Sequence, residues 1–389
     1  MKILVFCHEF KPIGGGAGNA LYYLGREWVA LGHQVSVVTS HWEGLAIRET
    51  VDGMNLIRLR VGRQMAHQGR IIEMARFMAK SAVLTKSLFC EFHPDICVAF
   101  MGIPSGLAPL VMKLKYGIPY VTELRGGDVP GFDPKTLGGF HFLTKPLIDI
   151  IWLNSHRLIA NSTGLAELAK RSIVSTGIQI IPNAVDSSTF VPAERQNSSD
   201  KMTLLFVGRF ADSQKNISTL LRVLSRLEKV ELILAGEGPD KAKLRSEVAR
   251  HNLTQRVKFM GWLDGQELLS VYQRADVYVS ASLWEGMPNT ALEAISCGLP
   301  LLLSDVTGHR DLVEQGRNGY LFNPANENQL ENFILQLKQD TVLRKKMGDT
   351  GRKIVQERYH WRKLAQEHLA CFNPTSVKMG KKSYPRCLL

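Results

Sequence analysis

The chain has 389 residues, of which 45% are hydrophobic and 8% aromatic, enough for two globular domains with large cores. No apolar run approaches the roughly 20 residues that a membrane-spanning helix needs. The six cysteines are scattered, and no CxxC or Cys/His cluster occurs, which argues against a zinc site or a disulfide framework and for reduced, cytosolic thiols. The net charge of +12 favours anionic partners, whether nucleotides, lipid headgroups or nucleic acid, without choosing among them.

The first half alternates strands and helices. Residues 2–7 form an apolar strand; a signal peptide is not expected, because His8, Glu9 and Lys11 interrupt the run early. A glycine cluster at 14–18 follows, then a helix reaching Gly32 and strands at 34–39 and 55–60. Residues 70–92 carry one long helical pattern that mixes Phe77, Met78 and Phe89 with Arg70, Arg76, Lys80 and Lys86. That mixture suits either a buried crossover helix with basic edges or a helix docked on an anionic membrane surface. Strands at 95–99, 118–122, 157–160 and 179–183 complete the half. Such alternation implies a parallel sheet with helices on both faces.

Composition shifts at 184–201, which reads as a polar linker. The alternation then restarts with strands at 202–208, 230–235, 257–261, 276–282 and 299–304, and a short apolar piece at 320–322. Helices finish the chain, followed by a loose basic tail over 373–389. The expected organisation is therefore a first Rossmann-like domain over 1–183, the linker, and a second over 202–358. A C-terminal helix near 359–372 is expected to pack back on the first domain. Ligands in doubly wound sheets bind at the strand C-terminal ends, so a cleft between the two domains is the default site.

Three stretches carry candidate chemistry. The sequence SLWEGMPNTALEAISCGLP at 282–300 joins two apolar strands through a helix. Pro288 suits its first turn, Gly298 its left-handed end, and the helix N-terminus offers N–H groups to an anion. Glu285 precedes this helix and Glu293 lies within it; paired carboxylates beside an anion site suit a ligand with both phosphate and hydroxyls. Arg209 and Lys215 follow the first strand of the second domain, where arginine can grip phosphate with two N–H bonds and lysine adds a point charge. The glycines at 14, 15, 16 and 18 are not a GxGxxG fingerprint, so a tight turn and a phosphate loop remain equal readings.

Taken in order, the Gly-Arg…Lys loop at 208–215, LAGEG at 234–238, KFMGW at 258–262 and the Glu285-x7-Glu293 spacing resemble the retaining glycosyltransferases of family four. The resemblance covers most of the chain and is strongest over 202–324. It implies a GT-B fold, with two Rossmann-like doubly wound parallel-sheet domains facing across a cleft. It implies a nucleotide-diphosphate sugar donor in the second domain, UDP-linked by analogy. Arg209 and Lys215 would hold the diphosphate, Glu293 the ribose hydroxyls, and Gly261–Trp262 the base. Glu285 would lie near the donor sugar, with the backbone of Gly286, Met287 and Pro288 beside it. Gly15 and Gly16 would close over the phosphates. No metal or other cofactor is expected, since Arg209, Lys215 and the helix dipole offset the leaving charge. The setting implied is lipopolysaccharide, exopolysaccharide or glycolipid assembly, with a glycan or lipid-linked acceptor, in the cytoplasm or peripherally on the inner membrane face, an anionic surface. No nucleic-acid partner is expected.

Two departures stand out. Asn216 replaces a glycine common in the family, and TELRGGDVPGF at 122–132 fills a region where many members place a histidine. Arg125 or Asp128 there either contacts sugar or acceptor, or merely braces a glycine-rich turn. His8, His93, His156 and His309 read as structural. The alternatives are a non-catalytic nucleotide-sugar or nucleic-acid binding protein, and a GT-B isomerase or phosphorylase.

Overall fold

The computed structural model describes residues 1–65, 69–173, 177–193 and 201–373. The expected tail at 374–389 and most of the polar stretch, 194–200, lie outside them. The chain forms two compact units, Met1–Asn183 with Trp361–Leu389, and Ala184–His360.

The first unit holds β1 (Lys2–Phe6), α1 (Gly16–Ala30), β2 (Gln34–Ser40), β3 (Arg48–Val51), β4 (Met54–Leu59), α2 (Ile71–Val83) and α3 (Thr85–Phe92). It continues through β5 (Ile96–Phe100), α4 (Leu107–Tyr116), β6 (Tyr120–Leu124), α5 (Pro134–Asn154), β7 (Arg157–Ala160), α6 (Thr163–Ser172) and β8 (Gln179–Ile180). The sheet order is β3-β4-β2-β1-β5-β6-β7-β8, and only the β3–β4 pair is antiparallel. Right-handed crossovers put α1 on one face of this sheet and α2 to α6 on the other.

β3 escaped the strand reading. It is half of a hairpin closed by Asp52 and Gly53, both with positive φ (45° and 79°), the signature of a type I′ turn. The single helix expected over 70–92 is two helices meeting at Leu84. Its aromatic residues do not face out: Phe77 is fully buried and Phe89 nearly so, in the core under the sheet. Arg76 and Lys80 reach back to the carbonyls of Val61 and Arg60. The pattern at these positions is the inward stripe of a crossover helix, with its basic groups tied to the adjoining loop.

The second unit runs through β9 (Met202–Val207), α7 (Asp212–Lys215), α8 (Ile217–Arg226), β10 (Val230–Ala235), α9 (Lys241–Arg250), β11 (Val257–Gly261) and α10 (Gly265–Arg274). It ends with β12 (Val277–Ser280), α11 (Asn289–Ser296), β13 (Leu301–Ser304), β14 (Gly319–Phe322), α12 (Glu327–Gln339) and α13 (Thr341–Arg358). The strands form an all-parallel sheet in the order β11-β10-β9-β12-β13-β14. Alternation along β9 feeds two cores: Leu204 and Phe206 pack with α8 and α12, while Leu205 packs with α10, α11 and α13. Within the stretch read as linker, Val185 and Phe190 pack into the second of these cores. The final helix, α14 (Trp361–Phe372), belongs to the first unit, where Trp361 stacks on Tyr23 of α1 at 5.3 Å.

Candidate active site

In the second sheet, β9 and β12 are neighbours, but the chain leaves them in opposite directions across the sheet. The loops that follow them diverge and leave a crevice, the usual ligand position in doubly wound folds. Both loops carry the residues of interest.

The loop after β9 is held from behind. Asp212, largely buried, accepts the Ser218 amide (2.9 Å) and hydroxyl (2.6 Å) and the Lys243 ammonium (2.6 Å). Burial pushes its carboxyl up, but Lys243 and Ser218 outweigh this and hold it below its usual value. Four residues then make the single turn α7, and the chain reverses through Asn216 in the left-handed conformation (φ 51°, ψ 41°). Glycine adopts that backbone freely and asparagine is the side chain that tolerates it best, so the departure at 216 leaves the loop's path intact.

The turn delivers Lys215 to Glu285. The ammonium lies 2.6 Å from Oε1, and the same oxygen accepts the Ser282 hydroxyl at 2.7 Å. Glu285 is 7% exposed. Burial raises its carboxyl, yet the Lys215 ammonium and the Ser282 hydrogen bond bring it below the ordinary value, so it is ionised at neutral pH. The Glu285 turn is braced by Thr307, whose hydroxyl donates to the Glu285 carbonyl at 3.2 Å. It is also braced by Gly308 (φ +82°), where a Cβ would lie 2.1 Å from the Gly286 carbonyl oxygen. His309 is fully buried behind it, with Nδ1 2.9 Å from the Ser304 carbonyl; burial keeps the imidazole neutral against the pull of Glu285.

Pro288 is the residue before α11, rather than inside its first turn, and no side chain caps that helix. Gly298 follows it with φ 73°. Glu293 is nearly buried and accepts the Tyr272 hydroxyl at 2.8 Å. Tyr278 ties this helix to the first loop, bonding Thr290 Oγ1 at 2.7 Å and donating to the Val207 carbonyl at 3.4 Å. Arg209 is exposed, and its guanidinium has no partner among the described residues. Gly261 ends β11 and Trp262 follows it at the same sheet edge, two strands from β9; Trp262 is 51% exposed.

The structure thus joins Lys215 to Glu285 directly, sets Met287 and Pro288 on the approach to α11 and places Glu293 within that helix. Three contributors escaped the sequence reading, Asp212, Tyr272 and Ser282, while His309, read there as structural, supports the Glu285 turn from behind. Only Ser282, three residues before Glu285, carried a local signal. Among the described residues no group of three His, Cys, Asp or Glu side chains is arranged for a metal ion.

The remaining candidates lie in the first unit. Gly15 precedes α1 with its amide on the Glu9 carboxylate (3.0 Å), and Gly16 opens the helix. The steric demand falls on Gly14 (φ +96°), where a Cβ would meet the Glu9 side chain at 2.4 Å; Gly15 has open space. Asp128 is buried and accepts the amides of Gly102, Arg125 and Gly126 at 2.9–3.0 Å. Arg125 is nearly buried, reaching Asn183 at 2.6 Å and Glu123 at 3.3 Å and covering the Phe100 ring. The Asp128 side chain organises the turn it sits on, while that of Arg125 links the turn to β6, β5 and Asn183.

Comparison with known proteins agrees with this architecture. Residues 188–354 match the family "Glycosyl transferases group 1" and residues 14–189 match "Glycosyltransferase Family 4". An uncharacterized glycosyltransferase of Methanocaldococcus jannaschii is 26% identical, over 98% of this chain and 100% of its own. Sucrose-phosphate synthase of Thermosynechococcus elongatus shares the fold with a TM-score of 0.83 at 23% identity, covering 95% of this chain and 98% of its own. HepE of Anabaena, solved with UDP-glucose, does so with a TM-score of 0.75 at 18% identity, covering 97% and 100%. Two abutting family matches from 14 to 354, on two parallel-sheet units of this kind, place the chain among the group 1 glycosyltransferases of GT-B fold.

Proposed function

We propose that the protein is a retaining glycosyltransferase that moves a sugar from a UDP-sugar to an acceptor hydroxyl. The observation that carries this reading is the Lys215–Glu285 pair, which joins the two loops at the switch point of the second sheet, one bearing Arg209 and the other leading into a helix with no side-chain cap among the described residues. In this reading Lys215 and Arg209 bind the diphosphate and stabilise the charge it gains on leaving. The backbone at 286–288 meets the donor sugar or phosphate, and Glu285 hydrogen-bonds a sugar hydroxyl while fixing the lysine. Glu293, oriented by Tyr272, takes the ribose hydroxyls. Two strand spacings, about 10 Å, separate the Trp262 loop from the Arg209 loop, which suits a base at one end and phosphates at the other.

Glu285 is engaged by Lys215 and Ser282, which favours a positioning role over attack on the anomeric carbon. The proposed step is therefore a front-face displacement. The acceptor oxygen bonds to the anomeric carbon as the carbon–phosphate oxygen bond breaks, and the departing phosphate takes the acceptor proton. No divalent metal is required, because the lysine, arginine and helix dipole supply the positive charge. UDP is favoured by the UDP-glucose complex of a protein of the same fold. The net charge of +12 suits an acceptor within an anionic envelope glycan or on a lipid-linked carrier.

A thermal-shift screen of UDP-, GDP- and ADP-sugars tests the donor assignment. Stabilisation by UDP-sugars, followed by sugar transfer with retained configuration by NMR, is the expected result. A donor bound equally well by a Lys215→Ala, Arg209→Ala variant would refute the site.

A further inference from the structure

Helix α5 is apolar on two opposite faces. One face, with Ile148, Ile151 and Trp152, is buried in the core of the first unit. The other carries Phe142, Leu143, Pro146, Ile150 and Leu153, which fall within about 100° of arc at helical spacing. All five are exposed, Phe142 at 82%, Leu143 at 80% and Leu153 at 62%. The stripe is about 16 Å long at 1.5 Å per residue. A helix that buries one apolar face needs no second for its own fold, and contiguous exposed apolar surface marks an interaction site.

The stripe's surroundings are basic. Lys113 of α4 bonds the Asn154 carbonyl at the end of α5, and beside it Leu114 is 70% exposed and Lys115 exposed. Lys145 reaches the Ser172 carbonyl at the end of α6, next to exposed Lys170 and Arg171. On α5 itself the charge of Asp149 is matched by Lys145 at 2.7 Å. An apolar stripe flanked by lysine and arginine is the composition of a helix lying in a headgroup layer.

We propose that the α4–α5–α6 face of the first unit docks on an anionic phospholipid bilayer. Phe142, Leu143, Ile150 and Leu153 enter the acyl boundary while Lys113, Lys115, Lys170 and Arg171 contact lipid phosphates. A second copy of this chain fits less well, because a two-fold self-contact would set the same basic flanks against one another. The proposal relocates membrane contact from 70–92, where Phe77 and Phe89 are core residues. It is independent of the sugar-transfer reading.

Flotation of the full chain with phosphatidylcholine vesicles, with and without phosphatidylglycerol, tests it. Binding is expected to the anionic vesicles, weakened by raising salt from 50 to 500 mM. Phe142→Glu with Leu143→Glu should reduce partitioning by more than about tenfold, with melting temperature unchanged. Neutralising Lys113, Lys115, Lys170 and Arg171 should abolish the preference for anionic lipid. Unchanged binding in both variants overturns the proposal. So does a wild-type protein that ignores vesicles but forms a dimer in sedimentation that the Phe142, Leu143 variant dissolves.

Discussion

Lys215→Ala separates the structural duty of one side chain from the catalytic duty proposed for it. The wild-type ammonium is 17% exposed and its partner carboxylate 9%. Removing one member of a fully buried pair costs about 3–5 kcal/mol, because the other charge is stranded. Here the Ser282 hydroxyl still donates to Glu285 and the lysine is partly exposed, so we expect about 2 kcal/mol. For a unit of this size that lowers the melting temperature by about 4–8 °C. Turnover should fall much further, by about a hundredfold, for the loss of about 3 kcal/mol of leaving-group stabilisation. The double variant Lys215→Ala, Glu285→Gln removes the stranded charge. Its melting temperature should recover most of the loss while its rate stays low. Scanning calorimetry and initial rates on wild type, both single variants and the double variant decide between the two effects. Wild-type turnover in Lys215→Ala with unchanged donor affinity would refute the whole assignment, and recovery of rate in the double variant would reduce the lysine to a structural counterion.

Glu293→Ala should raise donor KM about tenfold with kcat within about twofold, because ribose contacts exist equally in ground and transition states; steady-state kinetics over donor concentration check this. Glu285 is held below its ordinary value of 4.5, so its pair stabilises the fold above that pH and the contribution disappears as acid protonates it. The melting-temperature gap between wild type and Glu285→Gln should therefore be flat from pH 8 to 5 and close as pH drops further; a gap that widens in acid contradicts the sign. Excess EDTA should leave turnover unchanged, and activity lost to chelator and restored by magnesium or manganese would overturn the charge-based mechanism. Asp128→Asn should destabilise the first unit by about 1–3 kcal/mol through its three amide contacts, with donor affinity unchanged by calorimetry.

The parallel strands of both units were legible because they are short, β-branched and separated by clear helical periods. What failed was local in a different way. Asp52-Gly53 is a strong hairpin signal, yet Arg48–Val51 has the mixed polarity of an exposed edge strand, and no alternation marks it. Over 70–92 the apolar positions were found, but periodicity cannot say whether a stripe faces a core or a membrane. That depends on which helices the topology sets beside it, and α4 covers α2 while nothing described covers α5 in the same way. The polar stretch after Ala184 misleads for a related reason: Val185 and Phe190 are two isolated apolar residues in a weakly patterned segment, and their burial depends on α10 and α13 far along the chain.

The site divides along the same line. Arg209, Lys215, Glu285 and Glu293 stand out because each sits on a loop or helix start after an obvious strand, where sequence order alone predicts convergence at one sheet edge. Their partners do not, because the contacts that set their chemistry span the fold. Lys215 meets Glu285 across 70 positions, Tyr272 meets Glu293 across 21 and Lys243 meets Asp212 across 31. Asn216 shows how far a local departure can mislead. Judged by residue type it changes the loop after β9; judged by backbone it does not, since asparagine takes the left-handed geometry that the turn requires and Asp212 fixes the turn from the other side. The constraint acts on φ at position 216 and on the position of Lys215, rather than on glycine as such. Asn216→Gly should therefore be nearly silent in rate. Asn216→Val, β-branched and ill suited to positive φ, should move Lys215 off Glu285 and reproduce much of the Lys215→Ala defect in turnover, and wild-type kinetics in that variant would show that the turn does not set the lysine's position.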